Sequence, residues 1–346
     1  MHILMLKDIA VMAIKDGVVQ IFRPDLMPYG LVLEEEQDLD TRVNNIAVFN
    51  NWCSKRILSL DRKYAKQILN TLELPQAITD ADRTKVALSY LCLSLQDAYW
   101  ITDNQTLSWK SVNLFQNHLS SVLVPVSLKG KSITLQNKHL ISPDISTQGV
   151  AAKAWIKNGN NLLLYKGNTI EKVQGEVYAS KIAEAIGANC VKYEQGVWED
   201  AVVSISKCFT TQDIGFVPMS DLQVWLVNQD TSIDEFCLQH FKREYLLLNL
   251  IDYLIGNYDR HLGNWGVLVD ERNSIVSLAP LFDFDNAFKE GDLVSLTRTH
   301  ATQREAAIEA IELLELCDIV IPFGPTELMS FVTKKAEAVG LNVSKR

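Results

Sequence analysis

Asp259 and Asn264 are separated by four residues in Gly256-Asn257-Tyr258-Asp259-Arg260-His261-Leu262-Gly263-Asn264. A carboxylate and a neutral amide oxygen on one short loop suit phosphoryl transfer. One orients an acceptor hydroxyl, and the other helps hold a metal ion that grips the phosphates. A second acidic element follows, Leu281-Phe282-Asp283-Phe284-Asp285. Between the two, the residue pattern predicts a hairpin with arms Trp265–Val269 and Ile275–Leu278 and a turn at Asp270–Asn273. Either element alone is as readily an ordinary turn, because Asp and Asn close turns through local hydrogen bonds. Their joint occurrence, in this order and around a hairpin, is the arrangement that phosphoryl-transfer loops share.

Asn257-x-Asp259-x-His261-x-x-Asn264, followed by Ala279-Pro280-Leu281-Phe282-Asp283, resembles the HipA-like kinase family over about residues 140–335. The resemblance implies an α+β, two-lobed protein-kinase-like fold, distantly related to lipid kinases, here with an additional N-terminal domain. It implies a protein Ser/Thr kinase that uses ATP and Mg²⁺, autophosphorylates and acts on a protein substrate whose identity the sequence does not carry. A regulatory protein partner is compatible with it. By matching position, Asp259 is the catalytic base and His261 its neighbour in the loop. Asn264 and Asp283 match the Mg²⁺ ligands, while Asp285 stands where a glycine is usual.

The same resemblance pairs Lys166, at the end of Leu162-Leu163-Leu164-Tyr165-Lys166, with Glu176 on the next helix. The lysine would clamp the α/β-phosphates and the glutamate would hold the lysine. Read without the family, Lys166 is a solvated strand-end lysine and Glu176 a helix-start glutamate that complements the dipole. Ile145-Ser146-Thr147-Gln148-Gly149 takes the place of the phosphate-covering loop, with Ser146 or Thr147 as the autophosphorylated hydroxyl; with one glycine it departs from G-x-G-x-x-G. The plain alternative is that both hydroxyls cap a turn. Two rival functions stand beside the protein kinase. Asp259-Arg260-His261-x-x-Asn264 also resembles phosphoinositide kinase loops, and the fold could serve as a non-catalytic nucleotide-binding module.

The elements that must position these residues follow from periodicity. Strands are expected at Ala151–Lys157 and Asn161–Lys166, turning at Asn158-Gly159, and a helix at 174–186 with Ala179, Ile182, Ala183 and Ile186 as its stripe. Gly187 is its expected cap. One long helix is expected over about 234–255, with Leu247, Leu250, Ile251 and Leu254 buried and Gly256 ending it; helices are also expected at about 302–316 and 326–339. Upstream, residues 9–22 alternate around Asp16-Gly17 and predict a hairpin. The pattern from about 45 to 120 is helical, and Trp52, Arg56 and Trp100 are expected in the core. The expected division is 1–135, an N-terminal domain of unknown role; 136–230, a kinase N-lobe-like region; and 231–346, a mostly helical C-lobe. Residues 1–135 do not visibly match the N-terminal domain of toxin-type HipA proteins.

Composition narrows the classes. Hydrophobic residues make up 47% and charged residues 22%, a globular balance. A net charge of −9 argues against a broad nucleic-acid footprint and against anionic lipid. No uncharged run has membrane-spanning length. His2, His118, His139, His240 and His300 match no metal spacing. Gly130-Lys131-Ser132 lacks the earlier glycine of a P-loop, since Pro125 occupies its place. The six cysteines form no C-x-x-C pair and are expected to be buried free thiols in a reducing cytoplasm.

Overall fold

The computed structural model describes residues 1–346 except 76–78, 105, 118, 120 and 134–141, so His118 and His139 lie outside the described residues. Contacts divide the chain into two compact units. One comprises Met1–Gly167 with Thr210–Phe216 and Val269–Ile275; the other comprises Asn168–Phe209, Val217–Leu268 and Val276–Arg346.

The first unit opens with an antiparallel sheet in the order Val18–Ile21, Ile9–Lys15, His2–Leu6, Tyr99–Thr102. Lys15 pairs with Val18, so Asp16-Gly17 is the predicted two-residue turn. Both of its residues have positive φ, +52° and +81°, as the hairpin turn with the native twist requires. Helices Leu39–Ser54, Ala65–Thr71 and Asp80–Ser89 follow. The helical expectation for 45–120 fails at Tyr99–Thr102, which is a strand paired with His2–Leu6. All four of its residues are buried; the apolar N-terminal strand supplies an edge that no local periodicity announces.

The core expectation holds. Trp52 is 5% exposed and Trp100 fully buried, its indole N–H donating to the Lys7 carbonyl at 2.7 Å. The Arg56 guanidinium lies 4.5 Å over the Trp52 ring and grips Asp97 with two bonds of 2.8 and 2.7 Å. A buried fork-on-carboxylate pair of this kind is structural wiring. The unit also contains the hairpin Ala152–Asn158 and Asn161–Gly167. Asn158 pairs with Asn161, so the turn is Gly159-Asn160, one residue later than predicted.

In the second unit, helix Ile170–Ala185 is followed by the hairpin Tyr193–Trp198 and Ala201–Lys207. Helices Met219–Val227, Ile233–His240, Lys242–Leu254, Gln303–Leu314 and Thr326–Glu337 make up its bulk. The single helix expected over 234–255 is two. Phe241, at φ −139° and ψ 38°, breaks it, and the rings of Phe236, His240 and Phe241 cluster at the break. The second piece buries Leu247, Leu250, Ile251 and Leu254 as its stripe predicts. Gly256 ends that helix at φ +57°, and a Cβ there would lie 2.6 Å from the Lys289 carbonyl. Only glycine fits so close a backbone approach. Of the cysteines, Cys53, Cys92 and Cys237 are buried thiols, Cys190 and Cys208 are half-buried, and Cys317 is exposed, against the expectation that all are buried. No helix among the described residues is long and apolar enough to cross a membrane.

Candidate active site

The Asp259–Asn264 loop is held by the helix before it. Asp252, one turn from the end of Lys242–Leu254, is 3% exposed and Arg260 is 1% exposed. Their ion pair is 3.0 Å long. Asn257 donates its side-chain amide to the same carboxylate at 3.0 Å, and Gln303 donates to the Asn257 carbonyl. The remaining arm of Arg260 donates to two carbonyls, Asn264 at 3.1 Å and Phe282 at 2.5 Å. One guanidinium therefore joins the residue at the end of the catalytic loop to the residue before Asp283. This is the tertiary bond behind the two-part sequence motif.

Asp259 is half-buried. Its carboxylate accepts a 2.9 Å bond from the Asn286 amide, and its carbonyl accepts from the Asn264 amide. That bond turns the Asn264 amide nitrogen toward the loop's own backbone. The Asn264 Oδ1 is then buried and has no hydrogen-bond partner among the described residues. An unpaired buried oxygen costs roughly 1–3 kcal/mol, and it is the donor a cation would use. Asp283 is half-buried and left-handed, at φ +61°, an uncommon conformation for a residue with a side chain. Its N–H donates to the Tyr193 hydroxyl at 3.0 Å. Phe284 beside it is fully buried, against Tyr193 edge-on and Arg260. Asp285 accepts from Asn168 at 3.4 Å. His261 is exposed, and its Nδ1 accepts the Gly263 N–H at 3.0 Å, which shapes the loop.

The described residues hold no group of three or more His, Cys, Asp or Glu side chains able to cage a metal. Mg²⁺ does not need one: it takes one or two protein ligands and completes its shell with phosphate oxygens and water. The unpaired Asn264 oxygen and the Asp283 carboxylate fit that pattern.

Glu176 lies on helix Ile170–Ala185, 1% exposed, and its carboxylate accepts a 2.5 Å bond from the Ser204 hydroxyl. It is thus a core glutamate; the surface reading is excluded. Within the first unit, Lys166 is 3% exposed, which removes the solvated-lysine reading. It pairs across the hairpin with Lys153, 8% exposed, whose ammonium donates to the Gln148 carbonyl at 3.1 Å. Nothing in the sequence marks Lys153 as buried: Ala152, Lys153 and Ala154 are buried in succession, not in alternation.

The Ser146–Gly149 segment follows the short 3₁₀ turn Pro143–Ile145. Ser146 and Thr147 both donate to the Pro143 carbonyl, at 3.1 and 2.8 Å, as the turn-capping alternative expects. Arg62 donates to the Asp144 carbonyl at 2.6 Å and to the Thr147 carbonyl at 3.3 Å. Burial lowers this guanidinium to about 10, still cationic at neutral pH. Burial also pushes the Asp144 carboxyl up. Gly149 has φ +93°, and a Cβ there would lie 2.3 Å from the Lys153 ammonium. Its role is thus local: it leaves room for Lys153.

Comparison with known proteins bears on the family and the fold. The family model for phosphatidylinositol 3- and 4-kinase matches residues 150–335. The serine/threonine-protein kinase CtkA of Helicobacter pylori is 25% identical, over 36% of this chain and 49% of that protein, so the match spans about half that relative's length. A Shewanella oneidensis HipA structure, solved with HipB and operator DNA, superposes with a TM-score of 0.55 at 12% identity, over 98% of this chain and 89% of that one. The HipA-like, two-lobed α+β fold is therefore borne out, and the likeness extends into residues 1–135, where the sequence shows no visible match. The phosphatidylinositol 3- and 4-kinase model covers more than half of the chain and contains the whole Asp259–Asp283 constellation: the chain belongs to that family of kinase-like phosphotransferases.

Proposed function

We propose that this chain transfers the γ-phosphoryl group of ATP, with Mg²⁺, to serine or threonine hydroxyls of a protein, itself included. The observation that carries the reading is the buried Asn264 Oδ1, which lacks a hydrogen-bond partner beside Asp259. In the reaction, the acceptor hydroxyl oxygen bonds to the γ-phosphorus, and the bond from that phosphorus to the bridging oxygen breaks. ADP leaves, and the hydroxyl proton passes to Asp259. Asn264 and Asp283 would hold Mg²⁺, which would supply neutralisation of phosphate charge. The family resemblance gives Lys166 the phosphates and Glu176 the placing of that lysine. Six cysteines without a C-x-x-C pair suit a reducing cytoplasm.

A lipid acceptor is the second reading, favoured by the family model. The chain's acidity weighs against it. Incubation with γ-labelled ATP and Mg²⁺, in parallel with a protein lysate and with phosphoinositide vesicles, separates the two. Label is expected in protein and absent from lipid; the reverse overturns the protein-kinase reading. Mass spectrometry of the chain itself is expected to find phosphate at Ser146 or Thr147. For that, the modified hydroxyl must leave the Pro143 carbonyl, and the added charge, roughly −1.5 to −2, would compete with nucleotide for Lys166. A Ser146–Gly149 segment without phosphate in an active chain would contradict this part.

A further inference from the structure

Asn286 follows the Asp283–Asp285 element, outside every motif read from the sequence. We infer that Asn286 is the positioning residue that orients the Asp259 carboxylate, with its own amide set by Lys172; the inference rests on the phosphoryl-transfer reading above. Three bonds carry it. The Asn286 Nδ2 donates to Asp259 Oδ2 at 2.9 Å. The Asn286 Oδ1 accepts from the Lys172 ammonium at 3.1 Å and from the Tyr258 hydroxyl at 3.2 Å.

An asparagine amide can be turned end for end, and its neighbours decide which end faces where. Lys172 has only donors and Asp259, ionised, only acceptors. Both therefore demand the same orientation, oxygen toward the lysine and nitrogen toward the carboxylate. The backbone frame is equally fixed. Phe288 N–H donates to the Ile255 carbonyl at 2.5 Å, and Lys289 N–H donates to the Gly256 carbonyl at 3.1 Å. The segment bearing Asn286 is thus bonded to the end of the helix that leads into the catalytic loop. With Oδ2 occupied by Asn286, Oδ1 is the oxygen presented to an acceptor hydroxyl. Holding a base in a single orientation is worth a large rate factor, because small misplacements at the reacting atoms are costly.

The arrangement also makes a link. Lys172 lies in the first turn of helix Ile170–Ala185, which carries Glu176. A displacement of that helix would release the amide that orients Asp259.

The discriminating variants are Asn286→Asp, Asn286→Leu and Asn286→Ser, assayed as the full chain by turnover of γ-labelled ATP with Mg²⁺, beside wild type and Asp259→Asn. Asn286→Asp keeps shape and the acceptor for Lys172 and Tyr258 but loses the donor. It is expected to lower kcat 10- to 100-fold, at least as much as Asn286→Leu, with the KM for ATP within about threefold and the melting temperature little changed. Asn286→Ser, which retains a donor, should recover part of the loss. Lys172→Met should cost less than tenfold alone and nothing further in Asn286→Leu. If Asn286→Asp matches wild type while Asp259→Asn is inactive, Asn286 only braces Lys172 and the inference is wrong. If wild type turns over no ATP, or Asp259→Asn equals it, the phosphoryl-transfer reading falls and takes the inference with it.

Discussion

Asp283→Ala should abolish most of the rise in melting temperature that ATP with Mg²⁺ gives the wild-type chain, whereas Asp285→Ala should leave most of it. A ligand bound only to the folded state stabilises by mass action, about 2.7 kcal/mol at a hundredfold excess over Kd. The two carboxylates differ in how they are tied to Asn264. Asp283 follows Phe282, whose carbonyl shares the Arg260 guanidinium with the Asn264 carbonyl. Asp285 instead accepts from the Asn168 amide. Differential scanning fluorimetry with ATP, with and without Mg²⁺, measures the effect. Equal losses in the two variants, or the reverse order, would move the ligand to Asp285.

The largest effect on stability is expected at Arg260. In Arg260→Met the Asp252 carboxylate, 3% exposed, keeps its burial and loses its cation. The carbonyls of Asn264 and Phe282 lose a donor as well. Removing one partner of a buried ion pair costs about 3–5 kcal/mol, far more than the pair's net worth against an apolar substitute. Urea denaturation should show that loss. The double variant Asp252→Leu with Arg260→Met should be less destabilised than the sum of the single changes. A loss under about 1 kcal/mol in Arg260→Met would mean that the pair does not organise the loop.

What the sequence made legible is local. The Asp259–Asn264 spacing, the hairpin, the stripe of Lys242–Leu254 and the Gly256 terminus all depend on neighbours within a few residues, which periodicity and turn chemistry record. That Lys166 and Glu176 are buried was not legible from periodicity, because a strand-end lysine and a helix-start glutamate look the same exposed or buried. The break at Phe241 was hidden since both pieces continue one apolar pattern. The strand Tyr99–Thr102 was hidden because its partner is His2–Leu6, far upstream in the sequence. Asn286 and Lys172 gave no signal at all. An amide joining residues 27 and 114 positions upstream of it exists only once the chain has folded.

Transfer of labelled γ-phosphate by wild type and by Asp259→Asn, under identical Mg²⁺ and ATP, tests the central claim most directly. The substitution changes one atom and can still accept from Asn286, so the fold and nucleotide-dependent melting shift should persist. Loss of the carboxylate that takes the acceptor proton should reduce transfer by roughly 10²–10⁴-fold. An Asp259→Asn chain that transfers phosphate at a near wild-type rate would contradict the assignment of this loop as the catalytic centre.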